Sequence, residues 1–486
     1  MPIQQLPRHP SLENLRKQAK SLHRAVISKD PVALSTVSEF RPQQDPQTFK
    51  LSTAQLVLAR SYDFPSWAKL KEYVRVVGQR SFNPPTETDE AEPLADRFVR
   101  YACLDYQSDH SSRRFRAREL FESNKTMADD DFYAAVTVGK VSTVKAMLER
   151  EPILATKRGG PHNWEPILYA AYSRFDGDEK DYSTLEVTRL LLRHGADPNS
   201  FFLWDGEYLF TVLTGVFGEG ERGPIHQPEH QYCRPLARLL LEAGADPNDS
   251  QTLYNRMFTG GIEHLELLFE FGLGSTEKAS WFNRMGQPTQ TPAEMLQQQL
   301  AWAAKYGQFE RARLLVEHGV DVNQPDSRFN RPPLELAILH GNQKIADYLL
   351  DHGARRVVFD PLDEFAAACL AGNEDKVNAM LQLDGKLIEK LGDHRVGLLQ
   401  LAAESGKFDA IRLMAKLGFD LNSVKRTTAL HHAAMTGNVE MAKLLIELGA
   451  DPLVRDQEFN AFPRGWAEFG QKLEVAEYLK QFEEGA

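Results

Sequence analysis

This sequence predicts an all-α fold, a solenoid of tandem helical repeats that follows a small helical module. A leucine-rich helix end followed by Gly, a small residue and Asp recurs along the chain, as in LLLRHGADPN (190–199), LLLEAGADPN (239–248) and LLIELGADPL (444–453). Glycine there allows the positive φ that ends a helix, and Asp and Asn side chains bond to the turn backbone. The composition, 42% hydrophobic and 26% charged over 486 residues, is typical of a folded chain too long for one small core.

Residues 1–77 are predicted to form a separate helical module. The first helix begins after the cap Ser11, LSTAQLVLAR forms a second helix, and a third begins after a break at Pro65 with Ser66 as its cap. The module is basic although the whole chain is acidic, through Arg16, Lys17, Lys20, Arg24, Lys69, Lys71 and Arg75. These side chains indicate either a docking face for an acidic partner or a solvated helix surface.

Residues 78–93, GQRSFNPPTETDEAEP, contain proline and acidic residues without an apolar period, so they are predicted to be a linker. Such a linker would let the parts on either side of it move independently. Residues 94–128 contain one long helix or two short ones, and we expect them to cap the first repeat.

The repeat length follows from the spacing of the helix-ending glycines. In the C-terminal half the intervals are 34, 32, 33 and 31 residues, between Gly319, Gly353, Gly385, Gly418 and Gly449. Upstream the intervals are 49, 28 and 47 residues, between Gly195, Gly244, Gly272 and Gly319. The C-terminal half is therefore regular, whereas two of the upstream intervals contain insertions.

One segment makes the family of the repeats recognisable. TTALHHAAMTGNVEMAKLLIELGAD (427–451) resembles the ankyrin consensus, with Thr428, Leu430 and His431 at its Thr-Pro-Leu-His positions, and the period of about 33 residues agrees with that family. The resemblance covers residues 129–482 and implies about nine to ten repeats, the last being a capping helix pair. We expect the threonine to cap the inner helix and the histidine to bond back to the turn.

Insertions interrupt the repeats near residues 173–184, 217–232 and 275–292, and we expect the first two to lie side by side. The same region is rich in aromatic side chains, which dominate the binding energy of protein interfaces. The candidate protein-binding residues are Trp164, Tyr169, Tyr172, Trp204, Asp205, Tyr208, Phe210 and Trp281. The alternative is that these large side chains fill core positions left by missing consensus residues.

Catalytic and metal-binding chemistry has weak support in the sequence. His226 and His230 are candidate metal ligands, but Pro228 between them prevents the shared helix face that an HExxH site requires. No GxSxG, GxxxxGK[ST] or GxGxxG motif is present, and the three cysteines form no CxxC pair. We therefore expect no catalytic residues and no cofactor.

The predicted function is a protein-binding scaffold or adaptor that uses the concave face and the inserted loops of the array. The formal net charge of −11 argues against nucleic-acid and membrane partners, and no stretch has the roughly 20 apolar residues of a membrane span, so we expect a cytoplasmic, monomeric protein. Residues 1–77 resemble a module found ahead of ankyrin repeats in bacterial proteins. Two alternatives stay open: an enzyme or small-molecule or metal-binding protein with its site in residues 160–232, and a secreted effector that targets host proteins.

Overall fold

The computed structural model of the protein describes residues 6–42, 48–84, 91–175, 177, 180–285 and 290–483. Helices make up 59% of the structure and strands 3%, which confirms the predicted all-α fold. The chain divides into two compact units, Met1–Met295 and Leu296–Ala486. Each unit is described separately below.

The first unit begins with four helices: α1 (Leu12–Ile27), α2 (Pro31–Phe40), α3 (Leu51–Ser61) and α4 (Trp67–Arg80). The two predicted caps are confirmed, because the Ser11 hydroxyl accepts the backbone N–H of Asn14 and the Ser66 hydroxyl accepts that of Lys69. The sequence interpretation missed α2, which Asp30 caps through the backbone N–H of Ala33 at 2.8 Å.

A small three-stranded sheet connects this module to the inserted repeats of the same unit. Its strands are β1 (Ser81–Phe82), β2 (Phe201–Trp204) and β3 (Tyr208–Thr211), with β1 parallel to β2 and β2 antiparallel to β3. Residues 78–93 therefore differ from the expected linker: β1 lies within them and is paired, while residues 85–90 lie outside the described part. A shared core adds to this contact, since Leu70 of α4 packs in one cluster with Leu203 and Trp281.

The remaining helices of the first unit include three packed pairs of the repeat type, α8/α9, α10/α11 and α12/α14. The helices are α5 (Leu94–Ala102), α6 (Ser111–Ser123), α7 (Met127–Asp130), α8 (Phe132–Val138), α9 (Val141–Arg150), α10 (Pro166–Tyr172), α11 (Thr184–Arg193), α12 (Val212–Phe217), α13 (Gly223–His226), α14 (Cys233–Glu242), α15 (Ser250–Asn255), α16 (Glu263–Glu270) and α17 (Trp281–Met285). A 3-10 turn, Pro152–Ala155, follows α9.

The first two insertions contact each other, as expected. Arg174 Nε donates to the Pro228 carbonyl at 2.7 Å, and Gln231 Nε2 donates to the Phe175 carbonyl at 3.3 Å. Residues 176, 178 and 179 of the first insertion and residues 286–289 of the third lie outside the described part of the chain. The third insertion contains α17.

Helix α18 (Pro292–Tyr306) contains the boundary between the units, and the second unit continues with regular helix pairs. Its helices are α19 (Phe309–Glu317), α20 (Pro333–Leu339), α21 (Gln343–Asp351), α22 (Pro361–Leu370), α23 (Glu374–Leu383), α24 (Leu387–Lys390), α25 (His394–Glu404), α26 (Phe408–Lys416), α27 (Ala429–Thr436), α28 (Val439–Glu447), α29 (Pro463–Phe469) and α30 (Leu473–Glu483). We call the loops between the second helix of one pair and the first helix of the next pair finger turns.

The repeat closest to consensus forms the bonds expected of it. The Thr428 hydroxyl lies 2.8 Å from Nδ1 of His431, and Nε2 of the same histidine donates to the Ala461 carbonyl of the next finger turn at 3.1 Å. Gly449, which follows α28, has a φ of 102°, the left-handed conformation that the glycine pattern predicted. One buried cluster runs from Phe365 of α22 to Leu479 of α30 and holds these pairs together.

Candidate functional site

Five of the eight predicted binding residues are core residues, so the expectation that they face a partner is wrong. Trp164, Tyr169, Tyr172, Phe210 and Trp281 are each no more than 4% exposed. Their polar atoms bond inward: the Tyr172 hydroxyl donates to a backbone carbonyl in β3 at 2.8 Å, and the Trp281 indole donates to one after α14 at 3.1 Å. Their burial agrees with the alternative interpretation, in which these large side chains fill core positions left by missing consensus residues.

The other three predicted residues, Trp204, Asp205 and Tyr208, lie at the tip of the β2–β3 hairpin. Tyr208 is 44% exposed, whereas the Trp204 indole donates to the Asp105 carbonyl at 2.9 Å and is half-buried. The Asp205 carboxylate is paired with Arg8, whose Nε also lies 3.2 Å from the Glu207 carboxylate. Of the predicted set, only this tip lies near solvent.

The insertion around residues 217–232 is fixed by buried polar contacts. The Glu219 carboxylate lies 2.7 Å from Nη1 of Arg256 and accepts the Thr259 hydroxyl at 2.6 Å. His230 accepts the backbone N–H of Tyr232 at Nδ1, 3.0 Å away, so its Nε2 carries the proton and donates to the Thr184 hydroxyl at 3.1 Å. These groups bond to the chain itself and stabilise the insertion.

The two weak metal candidates do not form part of a ligand set. His226 is buried with its ring 4.9 Å from the ring of His110. Burial, followed by the charge of Arg174, lowers the pKa of His230 well below its ordinary value. Over the described ranges, no group of three or more His, Cys, Asp or Glu side chains is placed to hold a metal ion.

Two buried carboxylates, those of Asp105 and Asp109, lie where the 217–232 insertion contacts residues 94–128. Arg113 Nη1 lies 2.6 Å from the Asp105 carboxylate and 3.2 Å from that of Asp109, and Gln227 Nε2 donates to Asp109 at 3.1 Å. Burial, and then the charge of Asp105, raises the pKa of Asp109 to about 6. Burial acts in the same direction on Asp105, but Arg113 and the backbone N–H of Ser108 outweigh it and lower the pKa of that carboxyl. The cluster is structural, because each oxygen faces a donor of the chain.

A surface that the sequence interpretation missed lies in the second unit. Lys305 and Tyr306 of α18 are half-buried, as is Phe329 of the finger turn that follows α19, while Arg328 of that turn is exposed and Trp302 of α18 is buried beneath them. The Lys305 ammonium lies 4.4 Å from the centroid of the Phe329 ring and 5.0 Å from that of Tyr306. The Arg328 guanidinium lies 5.1 Å from the Trp302 ring centroid. We call these five residues the cation–aromatic cluster.

Further cations stand on the neighbouring finger turns of this unit. Arg355, Arg356, Lys425 and Arg455 are exposed, and within the described residues none of them lies in ion-pair distance of a carboxylate. The aromatic residues near residue 300 and the basic pairs in GARR (353–356) and SVKR (423–426) are visible in the sequence.

Comparison with known proteins points to one family. The model of the family "Ankyrin repeats", with three copies, matches residues 287–360 and 365–456. The chain is 28% identical over 169 residues to an L-asparaginase of Dirofilaria immitis, covering 34% of this chain and 28% of that protein. It is 29% identical over 160 residues to palmitoyltransferase AKR1 of Lachancea kluyveri, covering 31% and 22%. It is 24% identical over 237 residues to ankyrin repeat protein nuc-2 of Neurospora crassa, covering 41% and 21%.

The helix pairs and their glycine-ended turns define a helical-repeat protein. The repeats matched at residues 287–360 and 365–456 are ankyrin repeats. The chain spans about a quarter of the length of the curated relatives described above. In the described part of the chain, no helix combines the length and the apolar character needed to cross a bilayer.

Proposed function

We propose that the protein is a non-catalytic scaffold or adaptor that binds another protein through its ankyrin repeats. Ankyrin repeats generally mediate contacts between proteins. The observation that carries the proposal is the cation–aromatic cluster, where the exposed Arg328 and the half-buried rings of Tyr306 and Phe329 surround the buried Trp302 ring and give a composition that concentrates binding energy at protein interfaces. The hairpin tip at Tyr208 is a second candidate surface in the other unit.

The alternative of an enzyme or small-molecule site in residues 160–232 has less support. The carboxylate of Glu219 is paired with Arg256, and His230 is bonded at both ring nitrogens. Groups held in this way by the chain are not oriented toward a substrate. The enzymatic activities of the asparaginase and the palmitoyltransferase are not transferred to this chain, because the matched portion is about a quarter of each of those proteins.

The test is capture of partners by the tagged full-length protein from its native cells, with identification by mass spectrometry. The wild type is compared with Arg355→Glu/Arg356→Glu, which reverses exposed charge in the second unit, and with Tyr208→Ala. We expect at least one protein that the wild type retains and one of these variants loses at equal helicity by circular dichroism. If the tagged protein captures no partner, and the purified chain contains a bound metal or small molecule, the result would favour the enzyme alternative instead.

We also propose that the protein is monomeric and acts in the cytoplasm. Light scattering on the purified chain would measure its oligomeric state. Fractionation of the native cells, including the culture medium, would separate a cytoplasmic protein from the secreted effector of the second alternative.

A further inference from the structure

Two successive finger turns of the second unit, those after α19 and α21, carry the exposed arginines Arg328, Arg355 and Arg356, although the chain has a formal net charge of −11. The acidic residues of these turns are used by the backbone: Asp326 accepts the N–H groups of Arg328 and Phe329, and Asp360 caps α22. Asp456 accepts several backbone N–H groups, which outweigh burial and lower its pKa to about 2. Asp326 and Asp456 are buried, and Asp360 is exposed but bonded to the backbone of α22, while Arg328, Arg355 and Arg356 are exposed.

The cation–aromatic cluster is the most enclosed part of this surface. The Trp302 and Tyr306 rings lie 4.2 Å apart between centroids, and Lys305 and Arg328 stand over the faces of the rings. The ammonium of Lys305 is half-buried and, within the described residues, has no carboxylate in ion-pair distance. Burial, followed by the charge of Arg328, lowers the pKa of this lysine. The repulsion between the half-buried ammonium and the neighbouring guanidinium is unfavourable, and a carboxylate bound between them would offset it.

The next finger turn continues the same surface. Asn323 joins the two turns, because its Oδ1 accepts the backbone N–H of Arg355 at 2.8 Å and its Nδ2 donates to the Gly353 carbonyl at 3.1 Å. Two exposed arginines, Arg355 and Arg356, and the 96% exposed side chain of Val358 follow there. Cations, aromatic faces and one apolar side chain thus lie on adjacent turns.

We propose that the cation–aromatic cluster, together with the turn that carries Arg355 and Arg356, binds an acidic segment of the partner polypeptide. This inference rests on the proposed protein-binding function and adds the chemical class of the partner. Carboxylates of the segment pair with Lys305 and Arg328, the planar guanidinium donating two N–H groups to one carboxylate, and an apolar residue of the segment packs on Val358.

A peptide fits this surface better than a nucleic acid. The exposed carboxylate of Glu404 is near enough to Lys305 to raise the pKa of that lysine. Further carboxylates lie on α19, at Glu310 and Glu317, and on α21, at Asp351. A nucleic-acid backbone laid along this surface would bring its phosphates close to these carboxylates, which would repel them. Nucleic-acid binding that is driven by counterion release also requires many contiguous cations. A short acidic peptide can place its carboxylates on the cations alone.

The experiment is fluorescence anisotropy with the full-length protein and a short fluorescein-labelled peptide of aspartate and glutamate with two leucines. A peptide with lysine in place of the acids and a labelled oligothymidylate are the comparison probes. We expect the acidic peptide to bind and to weaken with added salt, and Lys305→Gln/Arg328→Gln to raise its Kd by at least about tenfold. The matched control is Arg313→Gln/Lys443→Gln, which removes two cations from α19 and α28, away from the proposed surface. It should change the Kd of the acidic peptide by less than about twofold.

Three outcomes would overturn the proposal: no binding of the acidic peptide, an equal loss in the control variant, or tighter binding of the oligothymidylate. Circular dichroism of both variants checks the fold, and Arg355→Gln/Arg356→Gln provides a second test on fully exposed side chains. Failure of the acidic-peptide proposal can be distinguished from failure of the proposed scaffold function. Partners that the Lys305→Gln/Arg328→Gln variant captures as well as the wild type does would leave the scaffold function standing and place its binding surface elsewhere.

Discussion

At the scale of single residues, His162 is a buried imidazole whose protonation opposes folding. Within the described residues its ring nitrogens have no hydrogen-bond partner, and the ring packs against Trp164 at 4.4 Å between centroids. Burial, followed by the charge of Arg100, lowers the pKa of His162 from 6.5 to about 3. Between these values the unfolded chain binds the proton and the folded chain does not, so the stability that the neutral ring supports is lost as the pH falls through that window.

We therefore predict that His162→Phe makes the protein less sensitive to acid. One proton taken up only by the unfolded state costs about 1.4 kcal/mol per pH unit, which amounts to about 2 kcal/mol between pH 6.5 and pH 5. Urea unfolding of wild type and variant near neutral pH and near pH 5 measures the difference. Equal acid-induced losses in both proteins would show that His162 does not carry this linkage.

The predicted binding residues should separate into two groups when substituted. Trp164→Ala removes a ring that stacks on Phe202 at 4.5 Å, and we expect it to lower the free energy of unfolding by about 3 to 5 kcal/mol. Tyr208→Ala, at the exposed hairpin tip, should change it by no more than about 0.5 kcal/mol. Thermal melting measures both. Similar losses for the two variants would contradict the assignment of Trp164 to the core and Tyr208 to the surface.

At the scale of elements, the module of α1–α4 covers apolar surface of the inserted repeats. Phe201, Leu203 and Trp281 are buried in one cluster with Leu70 of α4, and Arg80 pairs with Glu165 at 3.0 Å. Deleting residues 1–80 should expose these side chains, lower the melting temperature and increase binding of a hydrophobic dye. An unchanged melting temperature without added dye binding would instead support the independent module expected from the linker composition.

Elements fixed by local chemistry were predictable from the sequence, whereas elements fixed by distant pairing were not. Ser66 and Thr428 act as expected because capping depends on neighbours along the chain. The parallel pairing of β1 with β2 joins positions more than 100 residues apart, which no local pattern indicates. The β2–β3 hairpin did have a signal, the Asp205-Gly206 dipeptide, whose residues have φ of 52° and 72° as this turn requires.

At the scale of the whole molecule, net charge was a poor guide to the candidate surface. The value of −11 sums all residues, but it does not show that Asp326 is buried against the backbone of its finger turn while Arg355 and Arg356 of the next turn are exposed. Likewise, aromatic residues in unusual positions indicated the inserted repeats, yet Trp164 and Tyr172 are buried there. Periodicity in the sequence predicts which positions repeat, but the side of the molecule that each side chain reaches depends on packing.

The division of the chain into two compact units predicts two separable unfolding transitions. In a repeat protein, each repeat gains stability from its neighbours, so a core substitution acts mainly within its own unit. Leu445 is fully buried in the second unit, and Leu445→Ala should cost about 2 to 5 kcal/mol there. Differential scanning calorimetry should show that Leu445→Ala shifts one transition and Trp164→Ala shifts the other. A single transition that both substitutions lower equally would mean that the two units unfold as one cooperative array.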